Sequence, residues 1–187
     1  YNVPTFRLLL PVGISFYTFQ AIGYIVDVYR RGIKAEKHLG IFALFISFFP
    51  QLLAGPIGRA ASLLPQLSEK HSFDLRRVQD GLTLMLWGFF KKMVIADNLS
   101  VVVAEVYGNP PAYPGLPSFI ATVFLAFQVY CDFSGYSDIA IGAAKVLGIR
   151  LMTNFDRPFA AHSMSEFWRR WHISLTTWFR DYLYILL

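Results

Sequence analysis

Two long stretches without a charged side chain constrain this chain more than any other feature of its sequence. Residues 8–26 are 19 uncharged positions between Arg7 and Asp27, and residues 39–58 are 20 more. A helix of about 20 mainly apolar residues crosses the hydrocarbon core of a bilayer. Of the 187 residues, 55% are hydrophobic and only 16% are charged, whereas soluble domains average about 25% charged residues. The sequence therefore predicts an α-helical membrane protein.

Composition and charge placement exclude several other classes of protein. A chain this apolar does not stay disordered in water, and a single cysteine, Cys131, allows no intrachain disulfide. The net charge of +5 comes from short basic clusters that flank apolar runs. Such clusters meet anionic headgroups on the cytoplasmic side, whereas a nucleic-acid surface needs a continuous basic stripe. We therefore expect membrane lipid as a partner and no nucleic acid.

Neither charge-free run is expected to be a uniform helix. Pro11 and Gly13 predict a kink near the start of the first run, and the prolines and glycine of residues 50–56 predict a break in the second. Residues 27–38 and 59–80 each carry four Lys or Arg. The positive-inside rule places both segments on one side, so the run between them should enter the membrane and turn back. Broken helices at membrane depth need protein or a water-filled cavity around them.

The middle of the chain contains a short apolar segment and a loop. Residues 81–90 are apolar and are followed by Lys91 and Lys92. This pattern predicts an interfacial helix, or a short span whose lysines reach the headgroups. Residues 109–117 (NPPAYPGLP) contain four prolines and a glycine, which predicts a loop.

Two further helices are predicted after that loop. Residues 118–131 are almost wholly apolar, and residues 139–149 follow as a second segment. Together these segments predict an all-α fold: a polytopic transmembrane bundle with re-entrant or broken helices. We expect residues 1–187 to form one membrane domain that is incomplete at both ends.

A polar cluster separates these two helices. Two carboxylates, two hydroxyls and a phenol fall within seven residues, and Gly135 is predicted to interrupt the helical path between them. Polar and ionisable side chains at membrane depth are functional candidates by default. The same residues would also suit a cap for a helix that begins at Ile139. The candidates for a substrate or tunnel wall are Asp132, Ser134, Tyr136, Ser137 and Asp138.

A second polar cluster lies in a tryptophan-rich segment. Ser163 and Glu166 have the spacing of a capping box, so a helix should begin near Met164. On this helix His172 would share a face with Trp168 and lie between indole rings beside a guanidinium. A neutral imidazole there could act as a general base. The alternative is a histidine that bonds a backbone carbonyl inside a bundle. Further candidates around His172 are Asn154, Trp168, Arg169, Trp171 and Thr176.

Several strings carry a family resemblance. They are NFDRPF (154–159), EFWRRWHISLTTWFRDYLY (166–184), LPVGISFYTFQ (10–20), FFPQLLAGPIGR (48–59), WGFFKKMVIADNL (87–99) and DFSGYSDIAIG (132–142). Together they resemble the membrane-bound O-acyltransferase family, specifically its bacterial alginate O-acetyltransferase-like branch. The resemblance implies a multi-helix enzyme with a tunnel through a ring of tilted helices.

The resemblance also implies an activity. Such proteins move an acyl group, here expected to be acetyl, to a hydroxyl of an exported polysaccharide across the bacterial inner membrane. The donor, such as acetyl-CoA or an acyl carrier, is a co-substrate, so we expect no bound cofactor and no metal. Periplasmic acetylation proteins are implied as partners. D-alanyl transfer to teichoic acid is the alternative within the family. A transporter or export subunit without chemistry is the alternative from another class.

The resemblance assigns His172 to one of two family histidines in the tunnel. The other, in a Trp-His-Gly context, would lie after residue 187, so we expect this chain alone to be inactive. The family usually has a proline where this sequence has Leu186. Cys131, Ser134 and Ser137 are possible nucleophiles, but direct transfer of the acyl group is the simpler mechanism.

Overall fold

The computed structural model describes residues 13–52 and 54–184, and within these ranges the chain is helical and contains no β-strand. The predicted all-α fold is confirmed. The helices are α1 (Ile14–Tyr29), α2 (Leu39–Ile46), α3 (Ala60–Ser68), α4 (Leu75–Phe89), α5 (Asp97–Gly108), α6 (Leu116–Val146), α7 (Met164–Arg170) and α8 (Ile173–Tyr182). Leu186 and the kink predicted at Pro11 lie outside the described residues.

The second charge-free run is broken, as predicted. Helix α2 ends at Ile46, a 3₁₀ turn follows at Phe49–Gln51, and α3 begins only at Ala60. Buried apolar side chains hold this segment against the last turn of α6, because Phe45 and Leu63 belong to the same buried cluster as Ala144. The break therefore lies against protein, which is the condition that the sequence imposed.

Helices α4 and α5 form one continuous rod. The π-helical segment Phe90–Ala96 joins them without a loop. The prediction of a short segment that ends before Lys91 and Lys92 was wrong, because both lysines lie inside the rod. They remain there because carboxylates on α6 pair with them, as described below.

Helix α6 is a single helix of 31 residues, about 46 Å long. It is the one helix among the described residues that is long and apolar enough to cross a membrane. The predicted helix at 118–131 is confirmed, but the interruption at Gly135 and the cap before Ile139 were wrong. The helix continues because Gly135 lies in a tight helix–helix contact that only a residue without a side chain can make.

That contact joins α4 to α6 at two levels, through Gly81 with Gly142 and Gly88 with Gly135. A Cβ atom at Gly88 would lie 2.5 Å from the carbonyl oxygen of Gly135, and one at Gly142 would lie 2.6 Å from that of Gly81. The pairing order shows that the two helices are antiparallel. Small residues of this kind let membrane helices approach each other closely.

Helix α8 is fixed to α1 by polar contacts around a buried aromatic cluster. Trp178 Nε1 donates a hydrogen bond to the Phe19 carbonyl at 3.0 Å, and the Tyr182 hydroxyl donates to Asp27 at 2.8 Å. Asp181 also pairs with Arg59 at 2.8 Å. These contacts set the position of the start of α8, where His172 lies.

Candidate functional site

The capping box before α7 is formed as predicted. The Ser163 hydroxyl accepts a hydrogen bond from the Glu166 N–H at 3.1 Å, and the Glu166 carboxylate accepts one from the His162 N–H at 2.8 Å. The His162 N–H and the guanidinium of Arg170 together hold the pKa of Glu166 below its ordinary value. The helix begins at Met164, as the sequence indicates.

Helix α7 ends after two turns, so His172 is not on a continuous helix. The chain breaks because a neighbouring segment takes the hydrogen bonds that would have continued the helix. The Asp156 N–H donates to the Arg170 carbonyl at 2.9 Å, and the Asn154 carbonyl accepts from the Ile173 N–H at 2.9 Å. His172 adopts a φ of 45°, in the left-handed region. The prediction of one helical face shared with Trp168 was therefore wrong.

Aromatic rings nevertheless surround His172. Its ring lies 4.6 Å from that of Phe133 in an edge-to-face arrangement and is nearly parallel to that of Phe155 at 6.4 Å between centroids. Phenylalanines thus take the place expected for indoles. Arg169 is exposed and donates to the Ser165 carbonyl, so the guanidinium expected beside the imidazole points to another partner.

A cavity of about 350 Å³ opens beside the imidazole. It is lined by Trp168, Trp171, His172, Leu175, Thr176 and Phe179. His172 Nε2 is buried and has no hydrogen-bond partner among the described residues. Unpaired buried nitrogen atoms are rare because they cost free energy, and they therefore mark candidate functional groups. The cavity brings together four of the residues that the sequence indicated: His172, Trp168, Trp171 and Thr176.

The position of His172 along α6 gives its depth. Its contact residue Phe133 is 17 residues from Leu116 and 13 residues from Val146. At about 1.5 Å per residue, these separations are about 25 Å and 20 Å. His172 thus lies beside the middle of the one described helix that is able to cross a bilayer.

Asn154 is the residue that holds His172 in place. It is 1% exposed, and its Oδ1 accepts hydrogen bonds from both the N–H and the hydroxyl of Ser174, at 3.2 and 2.9 Å. We expect Asn154→Ala to lower the free energy of unfolding by about 1–3 kcal/mol, because it leaves both Ser174 donors unpaired. Thermal unfolding of the full-length protein in nanodiscs measures this loss. Asn98→Ala, at an exposed amide, is the control and should cost under about 0.5 kcal/mol; equal losses would contradict the assignment.

The remaining candidates on α6 form an ion-pair cluster instead of one wall beside His172. Lys91 Nζ lies 2.6 Å from the Asp138 carboxylate and donates to the Ser134 hydroxyl at 3.0 Å. Lys92 pairs with Asp132 at 2.7 Å and with Asp97 at 2.8 Å. The sequence interpretation missed both lysines as members of a site. The signal was present, because apolar residues resume directly after them, so the two lysines do not end a membrane segment.

Ser137 and Tyr136 remain outside these pairs. The Ser137 hydroxyl is buried and has no partner among the described residues, and Tyr136 is half-buried. Cys131 is a free, buried thiol. Within residues 13–52 and 54–184, no three His, Cys, Asp or Glu side chains lie close enough together to hold a metal ion.

Removing one member of the cluster should be costly. Lys91 is buried, so Lys91→Met leaves the Asp138 carboxylate without its cation, and such unpaired charges cost about 3–5 kcal/mol. We expect a clear loss of folded protein and of melting temperature. The double variant Lys91→Met with Asp138→Leu should recover most of the loss, because no buried charge remains.

The matched control for this experiment is Lys34→Met, at an exposed lysine. It should leave the melting temperature nearly unchanged. If Lys91→Met behaves like Lys34→Met, or if the double variant is no better than the single one, the ion pair does not stabilise the rod against α6.

Comparison with known proteins agrees with this architecture. The model of MBOAT, the membrane-bound O-acyltransferase family, matches residues 35–187. The chain is 46% identical over 182 residues to the probable alginate O-acetylase AlgI of Pseudomonas putida, covering 97% of this chain and 37% of that protein. It is 36% identical over 207 residues to the peptidoglycan O-acetyltransferase of Helicobacter pylori, covering 97% and 39%. It is 33% identical over 189 residues to the teichoic acid D-alanyltransferase of Streptococcus thermophilus, covering 98% and 45%.

The chain thus spans well under half the length of each of these relatives. The matches run through both the rod–α6 pair and the segment that holds His172, since the family model covers residues 35–187. The chain belongs to the membrane-bound O-acyltransferase family.

Proposed function

We propose that the protein containing this chain is a membrane-embedded O-acyltransferase that transfers acetyl groups to hydroxyls of an exported polysaccharide. The single observation that carries the proposal is the buried, unpartnered Nε2 of His172 beside a cavity, halfway along α6. The names of two relatives, an alginate O-acetylase and a peptidoglycan O-acetyltransferase, support acetyl transfer to a polymer.

His172 acts as the general base in this mechanism. The imidazole accepts the proton of the acceptor hydroxyl as its oxygen attacks the carbonyl carbon of a donor thioester. The new ester C–O bond forms, the C–S bond breaks, and the imidazolium returns its proton to the leaving thiolate. The rings of Phe133 and Phe155 fix the imidazole plane, so the base is held in one orientation while the reactants meet.

Charge placement gives the orientation of the rod and α6 in a bacterial inner membrane. No Lys or Arg occurs in residues 93–144, which include the connection between α5 and α6. The opposite end carries Arg76 and Arg77 at the start of α4 and Lys145 and Arg150 at the end of α6. The positive-inside rule puts this basic end in the cytoplasm. The acyl donor thus enters from the basic end, and periplasmic proteins receive the acyl group at the other end.

The test supplies isotope-labelled acetyl-CoA and acceptor polysaccharide to the purified full-length protein and analyses the polymer by mass spectrometry. Acetyl esters on the polymer are the expected product. D-alanyl esters, formed only with a D-alanyl carrier, would assign the protein to the second activity, which the teichoic acid D-alanyltransferase relative favours. Passage of label across a vesicle membrane without any ester would indicate a transporter and overturn the enzymatic proposal.

A further inference from the structure

A second, larger cavity lies at the basic end of the molecule. Its volume is about 750 Å³, and it is separate from the His172 cavity, with which it shares no lining residue. Helix α3, the start of α4 and the end of α6 form its walls. Its charged and polar lining residues include Gln66, Glu69, His71, Arg77, Lys145 and Arg150.

The wall of this basic cavity is well ordered by hydrogen bonds. Gln66 Oε1 accepts from the Arg150 N–H at 2.7 Å, and its Nε2 donates to the Arg150 carbonyl at 3.2 Å. The His71 ring bonds the Gln66 carbonyl at 2.7 Å. Because only the backbone of Arg150 is used in these contacts, its exposed guanidinium is free of them. The cavity is therefore a fixed depression that carries a positive charge at its rim.

The charge balance of the cavity favours an anion. Three cationic side chains line it against one carboxylate, Glu69, and Asp80 pairs with Lys145 at 3.0 Å. Arg77 Nε is buried and has no hydrogen-bond partner among the described residues. A buried donor without an acceptor costs free energy. An anionic oxygen in the cavity would remove that cost, and arginine binds phosphate oxygens especially well.

The distance to His172 is suitable for an acyl donor. Phe133, Ser137, Ile141 and Lys145 follow one another at four-residue intervals, so they form a slowly turning stripe on α6. The stripe begins at the ring that contacts His172 and ends at the basic cavity. Its ends are about 18 Å apart. An extended pantetheine chain, which separates the phosphate of a thioester donor from its sulfur, has a length of the same order.

We propose that the basic cavity is a phosphate-binding site, with Arg77 and Arg150 as its ligands. Two sources supply such a phosphate on the cytoplasmic side: the phosphopantetheine part of an acyl donor, and the headgroup of an anionic lipid. The first source rests on the proposed function, whereas phosphate binding itself does not.

The test measures binding to the full-length protein in phosphatidylcholine nanodiscs, with coenzyme A as the probe and phosphate-free pantetheine as its control. Arg150→Gln and Arg77→Gln should each weaken coenzyme A binding about tenfold, the effect of one charge-assisted hydrogen bond. The matched control is Arg76→Gln, which removes the same charge from an exposed neighbour outside the cavity. It should leave the affinity unchanged, and pantetheine should not respond to any of the three.

A parallel arm replaces coenzyme A with phosphatidylglycerol added to the nanodiscs and scored by native mass spectrometry. Retention of this lipid that Arg150→Gln abolishes, without coenzyme A binding, would assign the site to a headgroup. If neither ligand depends on Arg77 or Arg150, or if Arg76→Gln weakens binding equally, the site is overturned. Coenzyme A binding should survive in His172→Ala, so failure of the catalytic proposal and failure of this site are distinguishable.

Discussion

Replacing His172 with alanine in the full-length protein should lower polymer O-acetylation by about 10²–10⁴-fold, the usual contribution of a general base. The fold should survive, because no hydrogen bond to Nε2 is lost: that atom has no partner among the described residues. The measurement is the rate of ester formation with acetyl-CoA and acceptor polymer, with melting temperature and membrane insertion recorded for the same preparation.

Two further variants separate chemistry from packing. His172→Asn keeps a polar planar side chain but has no basic nitrogen, so it should be as inactive as His172→Ala. His162→Ala removes an exposed imidazole ten residues away and should retain full activity. Activity near the wild-type level in either His172 variant would remove this residue from the mechanism.

Gly135→Leu should prevent the rod from packing against α6. A Cβ atom at Gly135 would lie 2.8 Å from the Gly88 carbonyl oxygen and 3.3 Å from the Lys91 Cβ, so even the first carbon of the new side chain does not fit. Overpacking costs about 1–3 kcal/mol or more. Here it also pulls Lys91 away from Ser134 and Asp138. We expect little or no folded protein by size-exclusion chromatography of the detergent extract.

Gly108→Leu is the matched control for this prediction. Gly108 ends α5, and a Cβ atom there would meet nothing within 4 Å. The same increase in side-chain size should therefore leave yield and melting temperature almost unchanged. Equal yields of the two variants would show that the glycine contact does not hold the two helices together.

Local patterns in the sequence predicted those features that depend on neighbouring residues. The capping box at Ser163 and Glu166, the loop at 109–117 and the break near Pro50 are all decided within a few positions. The structure has them where the sequence placed them. The all-α class also follows directly, because apolar runs of this length have no other way to satisfy their backbone groups in lipid.

The errors occurred where a distant segment decides the local structure. Gly135 lies inside a helix because Gly88 packs against it, and Lys91 stays at mid-helix because Asp138 neutralises it. His172 leaves the helix because residue 154 takes the hydrogen bonds that would have continued it. In each case the partner is more than 15 residues away, so spacing rules on one segment could not reveal it.

The candidate site shows the same division. Sequence reasoning identified His172 and the aromatic character of its surroundings, but not Phe133 and Phe155 as the rings in contact with it. It also grouped the polar residues of α6 into one wall, whereas most of them pair with the rod. A helix presents residues on all its faces, and only the packing of its neighbours decides which face meets which partner.

The most direct test of the account is whether water reaches position 172 at membrane depth. His172→Cys is introduced into a full-length background without native cysteines and treated with a membrane-impermeant thiol reagent. Ser174→Cys, at a position with 0% exposure, serves as the buried control. The account predicts that His172→Cys is labelled and that Ser174→Cys is not. Absence of labelling at position 172, in a protein that is otherwise folded and active on the same scale, would contradict a base placed where the reactants meet.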